Sequence, residues 1–240
     1  MDGFSYYNIF DTKGIEYLVI IAFLLMLIPF WVFLNKKVNI REHLSNALGV
    51  LTSGILKIPQ GIFYSRNHTW AYMEKSGIAR IGLDDLLLHI TGKVNIRQLK
   101  NKDDIIRKGD LIAEIEQNGR SLSVFSPVSG KILSSNQVLQ SDHEILNSDP
   151  YGKGWIYNIK PSNWVEEIPS CFISDEATEW LQNELVRYKD FLSVNIGNYN
   201  QGPSMAVLQD GGELSDSSLA VLPDEIWKDF QREFLDIQER

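Results

Sequence analysis

The residues of this chain that could perform acid–base or metal chemistry are few and scattered. Asp84 and Asp85 are adjacent acids, but at the start of a predicted helix they serve as an N-cap and a neighbour that offsets the helix dipole. His68, His89 and His143 lack the close spacing and the companion cysteines of a metal site. The sequence therefore predicts no catalytic residue and no metal ligand.

Charge is distributed unevenly along the chain. The 240 residues carry 31 acidic and 23 basic side chains, and 16 of the acids lie in residues 165–240 beside only 5 basic residues. This acidic part repels polyanions, which argues against nucleic acid as a partner. The single cysteine, Cys171, cannot form an internal disulfide, which fits a reducing compartment.

The most apolar stretch is residues 15–34, whose only charge, Glu16, lies at its edge. A helix of this length spans about 30 Å, the thickness of a bilayer core, so we predict a transmembrane helix with the lipid bilayer as one partner. The cations that follow the stretch are Lys36, Lys37 and Arg41. Since only Lys13 precedes it, the positive-inside rule predicts an extracytoplasmic N-terminus over residues 1–14. These features predict a single-pass protein of the bacterial inner membrane whose remaining residues lie in the cytoplasm.

The chain after this stretch divides into three parts. Residues 35–61 form a juxtamembrane linker with a predicted helix over 41–57, where apolar residues recur at helical spacing. Residues 62–164 hold short β segments parted by turns, a pattern typical of a small barrel or sandwich. Residues 165–240 form an acidic helical extension. The predicted strands are 69–73, 78–82, 111–116, 122–126, 130–134 and 155–160.

Two amphipathic helices are predicted in the extension, over 174–192 and 223–238. The apolar face of the second includes Trp227, Phe230 and Phe234. Aromatic side chains on one helix face either contact a partner protein or pack back onto their own domain, and the pattern leaves both alternatives open. We take the three aromatics as candidates for contact with other membrane-protein subunits.

Two of the predicted strands enclose Asn118 and Gly119. An Asn-Gly pair between β segments is the strongest sequence signal for a two-residue type I′ turn, because both positions tolerate a positive φ. The sequence therefore predicts a hairpin whose tip is Asn118-Gly119.

Several motifs occur in the order in which one known family has them. They are His68-Thr69-Trp70, Gly77-Ile78-Ala79-Arg80-Ile81-Gly82-Leu83-Asp84-Asp85, Ser126-Pro127-Val128-Ser129-Gly130, Asn147-Ser148-Asp149-Pro150-Tyr151-Gly152-Lys153-Gly154-Trp155 and Lys160-Pro161-Ser162. With these motifs, residues 62–164 resemble the H protein of the glycine cleavage system, a member of the lipoyl and biotinyl superfamily. The resemblance implies a mainly β barrel-sandwich hybrid with flanking helices, to which this chain adds the N-terminal transmembrane helix and the α-helical C-terminal extension.

The resemblance also identifies the position at which the family attaches lipoate, an amide-linked lysine in an E-S-V-K-A hairpin. Counted back from Ser126 without a gap, Glu116 matches the glutamate and Gly119 occupies the lysine position. Arg120 follows, but its guanidinium stays protonated and cannot replace the amine that amide formation requires. The degenerate tip, formed by Glu116, Asn118, Gly119 and Arg120, is therefore expected to bind no lipoyl cofactor.

Three functions stay open at this point. The first, which we expect, is a non-catalytic, membrane-anchored accessory subunit of a bacterial inner-membrane complex, for example a respiratory or redox complex. The second is a membrane-tethered lipoyl carrier related to glycine cleavage and modified at a non-standard lysine. The third is a membrane-fusion-type adaptor, a class that interrupts the lipoyl hairpin with a long helical insert, whereas a tight turn is predicted here.

Overall fold

A computed structural model describes residues 10–35, 50–198, 208–209 and 213–236. The chain divides into two units, Met1–His43 and Leu44–Arg240. The helices are α1 (Phe10–Asn35), α2 (Asp85–Thr91), α3 (Val138–Ser141), α4 (Glu144–Ser148), α5 (Trp164–Glu167), α6 (Ser174–Asn198) and α7 (Asp224–Phe230). The strands are β1 (Val50–Leu51), β2 (Phe63–Tyr64), β3 (Thr69–Met73), β4 (Ala79–Leu83), β5 (Asn95–Gln98), β6 (Ile105–Ile106), β7 (Leu111–Gln117), β8 (Arg120–Phe125), β9 (Gly130–Ser135), β10 (Tyr157–Pro161), β11 (Leu208–Gln209) and β12 (Glu213–Ser215). Short 3-10 turns lie at Ile168–Ser170 and Ser218–Val221, and a π-helical turn covers Gln231–Leu235.

The N-terminal unit contains α1, which includes the predicted helical stretch 15–34. Its described side chains, those of residues 17–31, are all exposed, and Tyr17 and Trp31 are among them. Among the helices of the described ranges, none is both long and apolar enough to cross a membrane. The predicted helix is therefore present, but the predicted transmembrane role of residues 15–34 gains no support from this finding.

The helix predicted over residues 41–57 is wrong where the structure describes this segment. Residues 41–49 lie outside the described ranges, and Val50–Leu51 form the strand β1 instead of a helix. Leu51 pairs with Leu214 of β12, and both side chains are buried. A turn follows, in which the amide of Ile55 donates to the Thr52 carbonyl at 3.1 Å. Burial against a partner strand outweighs a helical pattern that glycine already weakens.

In its described ranges, the second unit contains three sheets, and the paired strands in each run antiparallel. The largest has the strand order β2-β3-β4-β10-β9-β6, and the two smaller sheets are β5-β7-β8 and β1-β12-β11. The six strands predicted from the sequence correspond to β3, β4, β7, β8, β9 and β10, with ends that differ by two residues at most. The predicted helix that begins after Asp84 is α2, and the Asp84 carboxylate accepts a hydrogen bond from Leu87 N at 2.8 Å as its N-cap.

Two glycines of the sequence motifs are required by close contacts within the sheet. Gly82 on β4 lies opposite Trp70 on β3, and a Cβ atom at Gly82 would lie 2.6 Å from the indole ring. A Cβ atom at Gly130 would lie 2.5 Å from the Lys160 carbonyl oxygen. Trp70 of the first motif and Gly130 of the third therefore pack closely against neighbouring strands.

The loop between α4 and β10 contains the long motif around Asp149, and the motif contacts α2. The Asp149 carboxylate accepts hydrogen bonds from the amides of Gly152 and Lys153 at 3.0 and 2.9 Å. The Tyr151 hydroxyl accepts from the Asp85 amide at 3.0 Å. These contacts give the motif a structural role, since they order a loop and satisfy a donor at the start of α2.

The C-terminal extension, where it is described, packs onto the same hydrophobic core as the sheets. The predicted helix over 174–192 is present as α6, whose buried side chains include Leu181, Tyr188 and Leu192. Of the helix predicted over 223–238, the described part consists of α7 and the π-helical turn that ends at Leu235.

Trp227, Phe230 and Phe234 lie inside the domain. Each side chain is at most 2% exposed, and Phe230 and Phe234 stack with ring centroids 4.8 Å apart. The Trp227 indole donates to the Leu219 carbonyl at 2.8 Å. Of the two alternatives the sequence left open, the structure has internal packing, so these side chains are not available to a partner.

Candidate functional site at the hairpin tip

The hairpin β7–β8 has the predicted two-residue turn. Gln117 and Arg120 are the last paired residues, so Asn118 and Gly119 alone form the loop. Their φ angles are +52° and +81°, both in the left-handed region that a type I′ turn requires. The turn is therefore confirmed, and it is the conformation in which Asn-Gly is favoured.

The two residues of the turn are open to solvent, and neither carries an amine. Asn118 and Gly119 are exposed, and no atom lies within 4 Å of a Cβ atom built at Gly119. Glu116, on β7, forms an ion pair with Arg97 of β5 at 3.3 Å. None of the four predicted tip residues supplies a primary amine, so amide chemistry at this tip has no nucleophile.

The backbone of Lys93 lies close to the end of the hairpin. The Gln117 side chain donates from Nε2 to the carbonyl oxygens of Lys93 and Thr91 at 2.7 and 2.9 Å, which holds the segment before β5 against the end of β7. The Lys93 ammonium lies 2.5 Å from a Glu144 carboxylate oxygen, and this hydrogen bond raises the pKa of Lys93. Because Lys93 lies 24 positions before Gln117, no local pattern along the sequence indicates that the two residues meet.

The flank of the hairpin at Arg120 is bound by residues from the end of the chain. Arg120 Nε forms an ion pair with Asp224 at 2.9 Å, and Nη1 donates to the Ala220 carbonyl at 3.0 Å. The guanidinium carbon also lies 5.7 Å from the centre of the Trp227 ring, a cation–π distance. The Arg120 side chain is only 21% exposed as a result.

The outer edge of β8 is covered by the same segment. The amide of Ser123 donates to the Gln231 side-chain oxygen at 2.7 Å, which satisfies a donor that an edge strand leaves open. We call residues 213–236 the C-terminal cover, because this segment includes every residue that binds Arg120 and Ser123 in these contacts. No sequence signal indicated the contacts, since they join residues about a hundred positions apart.

A second group of charged side chains surrounds the buried His68. His68 Nδ1 is 2.8 Å from Asp84, and Nε2 is 3.7 Å from Glu184 of α6. Glu184 in turn accepts from Arg187 Nη1 at 2.8 Å with both oxygens. Burial alone would lower the pKa of His68, but the two carboxylates outweigh it and raise the pKa to about 9.

The ion pairs around His68 join separate elements of the fold. Asp84 caps α2, His68 precedes β3, and Glu184 belongs to α6, so the ion pairs hold a helix of the extension to the sheet. His89 is similar, with Asp85 at 3.4 Å and Asp216 at 2.9 Å. Across the described residues, no group of three histidine, cysteine or acidic side chains could hold a metal ion.

Comparison with known proteins identifies the family. The sequence model of the glycine cleavage H-protein family matches residues 62–184. The glycine cleavage system H protein of Psychrobacter cryohalolentis is 34% identical over 128 residues, which cover 53% of this chain and 98% of that protein. The probable glycine cleavage system H protein of Thermococcus gammatolerans is 31% identical over 130 residues, covering 54% of this chain and 96% of the relative.

A solved structure is similar over about half of the chain. The crystal structure of a glycine cleavage system H protein from Mycobacterium marinum covers 51% of this chain and 98% of its own, with 23% identity and a TM-score of 0.45. The family match ends at residue 184, twenty residues beyond the predicted end of the H-like part and ahead of the C-terminal cover. Through residues 62–184, the chain belongs to the glycine cleavage H-protein family.

Proposed function

We propose that this chain is a non-catalytic H-protein-like module that carries no lipoyl group and serves as an accessory subunit of a bacterial inner-membrane complex. One observation carries the proposal: Asn118 and Gly119 form a type I′ turn at the position where the family attaches its cofactor. Amide formation with lipoate requires a primary amine, and the turn residues have none. The hairpin is kept while the attachment point is missing.

The integrity of the remaining fold supports a retained binding or structural role. Gly82 and Trp70 still fit each other, and the Asp149 loop still binds α2. In a family member whose domain had no function, selection would not preserve these contacts. We therefore propose that the domain has a binding or structural role and no enzyme activity.

Membrane attachment through residues 15–34 is the second part of the proposal. The stretch has a single charge at its edge, and the described side chains of α1 include large exposed apolar residues such as Phe23, Leu24 and Ile28. So many exposed apolar side chains are stable only when they are shielded from water. A lipid bilayer provides this shielding for a continuous apolar stretch. Carbonate extraction of membranes from expressing cells tests this part, and release of the chain into the supernatant would contradict it.

The intact mass of the full chain, purified from cells supplied with lipoate, tests the absence of the cofactor. We expect the mass of the unmodified sequence. A co-expressed H protein from Psychrobacter cryohalolentis serves as the control that must gain a lipoyl group under the same conditions. A lipoyl-sized increment on this chain, with the control modified, would overturn the proposal.

A second candidate function, a carrier modified at a non-standard lysine, has one observation in its favour. Lys93 lies beside the tip, and its side chain is 80% exposed. The same mass measurement on Lys93→Arg and on Lys75→Arg, an exposed lysine in the β3–β4 turn, separates the candidates. A lipoyl increment that disappears only in Lys93→Arg establishes the carrier. The adaptor has no such observation, since two residues rather than a helical insert join β7 and β8.

The accessory role itself is tested by the size of the species that mild detergent releases from native membranes. We expect the chain to migrate with other membrane-protein subunits. Recovery of the monomer alone, under conditions that preserve a known membrane complex of the same cells, would exclude the role.

A further inference from the structure

The C-terminal cover, residues 213–236, is an addition to the family's domain that binds the hairpin directly. The family match ends at residue 184, so the cover lies entirely outside it. Its contacts with β8 nevertheless include an ion pair, a cation–π contact and two hydrogen bonds. The segment therefore occupies a surface next to the tip.

The cover is anchored more firmly than a loop that lies on the surface. Trp227 and Phe230 are buried, and the Trp227 indole is hydrogen-bonded to Leu219. Asn67 donates to the Leu235 carbonyl, which fixes the end of the cover to the turn before β3. Because its anchors lie in the hydrophobic core, the cover opens only rarely while the domain is folded.

Arg120 is the link between the cover and the attachment position. It follows Gly119 directly, and its side chain is turned toward Asp224, Ala220 and Trp227. An enzyme that modifies residue 119 must hold the hairpin by the residues on either side of it. On the β8 side, Arg120 and Ser123 are already bound by the cover.

We propose that the C-terminal cover excludes a lipoate-attaching enzyme from this hairpin, so that the tip resists lipoylation even when it carries a lysine. The inference rests on the proposed function and deepens it, because the site is then closed in two independent ways. The excluded step is acyl transfer from lipoyl adenylate to a lysine amine. In that step the carbon–nitrogen bond forms, the acyl carbon–oxygen bond to phosphate breaks, AMP leaves, and the amine gives its proton to solvent.

The test restores the lysine in the full chain and then weakens the cover without changing the hairpin sequence. Gly119→Lys is incubated with lipoic acid, ATP and a purified lipoate–protein ligase, and modification is followed by intact mass. The second variant adds Asp224→Ala and Gln231→Ala, which remove the partners of Arg120 and Ser123. The matched control adds Asp229→Ala, which removes an acid of α7 that pairs with Arg232 instead.

We expect Gly119→Lys to be modified at least a hundredfold more slowly than the Psychrobacter H protein. Two lost contacts, each worth about fivefold in the opening equilibrium of the cover, predict a reaction about 25-fold faster for the weakened cover and no change for the control. Asn118→Lys places the lysine at the other residue of the turn. Position 118 already holds a non-glycine residue at a positive φ, so a lysine there does not replace a glycine.

Modification of both lysine variants at the rate of the Psychrobacter protein would overturn the proposal. An equal rate with the intact and the weakened cover would also overturn it, because the cover would then not be the obstacle. The proposed function fails by a different observation, a lipoyl increment on the unaltered chain.

Discussion

The buried ion pairs of His68 make the stability of the domain depend on pH. The imidazole is 1% exposed and faces Asp84 from the start of α2 and Glu184 from α6, with Arg187 beyond Glu184. The pKa of His68 is raised to about 9 in the folded protein, against about 6.5 for a histidine in an unfolded chain. Folding therefore strengthens proton binding. The resulting stabilisation is complete below pH 6.5 and is lost as the pH rises through 9.

The size of this contribution follows from the two pKa values. At about 1.4 kcal/mol per pKa unit, the difference corresponds to about 3 kcal/mol of unfolding free energy. His89 contributes over the same range, because Asp216 and Asp85 outweigh the effect of its burial and raise its pKa to about 9 as well. The unaltered chain should thus lose stability through both histidines between neutral and alkaline pH.

Urea denaturation of the full chain at about pH 6 and about pH 9.5 measures the loss. In His68→Gln the loss should be smaller than in the unaltered chain by about 3 kcal/mol, because the substituted side chain binds no proton. His89→Gln is the matched control and should retain the part that belongs to His68. If His68→Gln and the unaltered chain lose the same free energy between the two pH values, the ion pairs of His68 do not hold the proton and the reasoning fails.

Two further substitutions test the close contacts of the sheet and the turn. Gly82→Ala places a Cβ atom 2.6 Å from the Trp70 ring. We expect this overpacking to lower the free energy of unfolding, measured in urea, by about 1–3 kcal/mol. A loss below about 0.5 kcal/mol would show that the indole moves aside freely. In Gly119→Ala the new methyl group meets no neighbouring atom, but the residue must adopt a φ of +81°. Thermal and urea unfolding should therefore show a free energy of unfolding lower by about 1 kcal/mol, with the fold unchanged. An unaltered midpoint would mean that the turn relaxes to another type.

The features that the sequence predicted well are those decided by a few adjacent residues. The type I′ turn depends on Asn118 and Gly119 alone, and the α2 cap depends on Asp84 and the amide of Leu87. The strands of the hairpin were predictable because side chains alternate between two faces over only six or seven residues.

The features that escaped prediction join distant parts of the chain. Arg120 and Asp224 are 104 positions apart, and no local pattern pairs one surface arginine with one of many acids. The apolar face of the C-terminal helix was predictable, but whether Trp227 faces a partner or the domain depends on the surface that β8 presents. For β1 the local pattern even favoured a helix, and pairing with β12 decided the outcome.

The pairing of β1 with β12 has a consequence for the order in which the chain folds during synthesis. Leu51 leaves the ribosome early, whereas its partner Leu214 is made only after the whole family domain has been translated. The two-residue strand β1 must wait unpaired through that interval, because contacts between residues so far apart in the chain form late. The sheet β1-β12-β11 therefore closes only after residues 213–215 have been made, and ribosome-bound chains that stop before residue 213 should expose Leu51 to proteases that spare the longer chain.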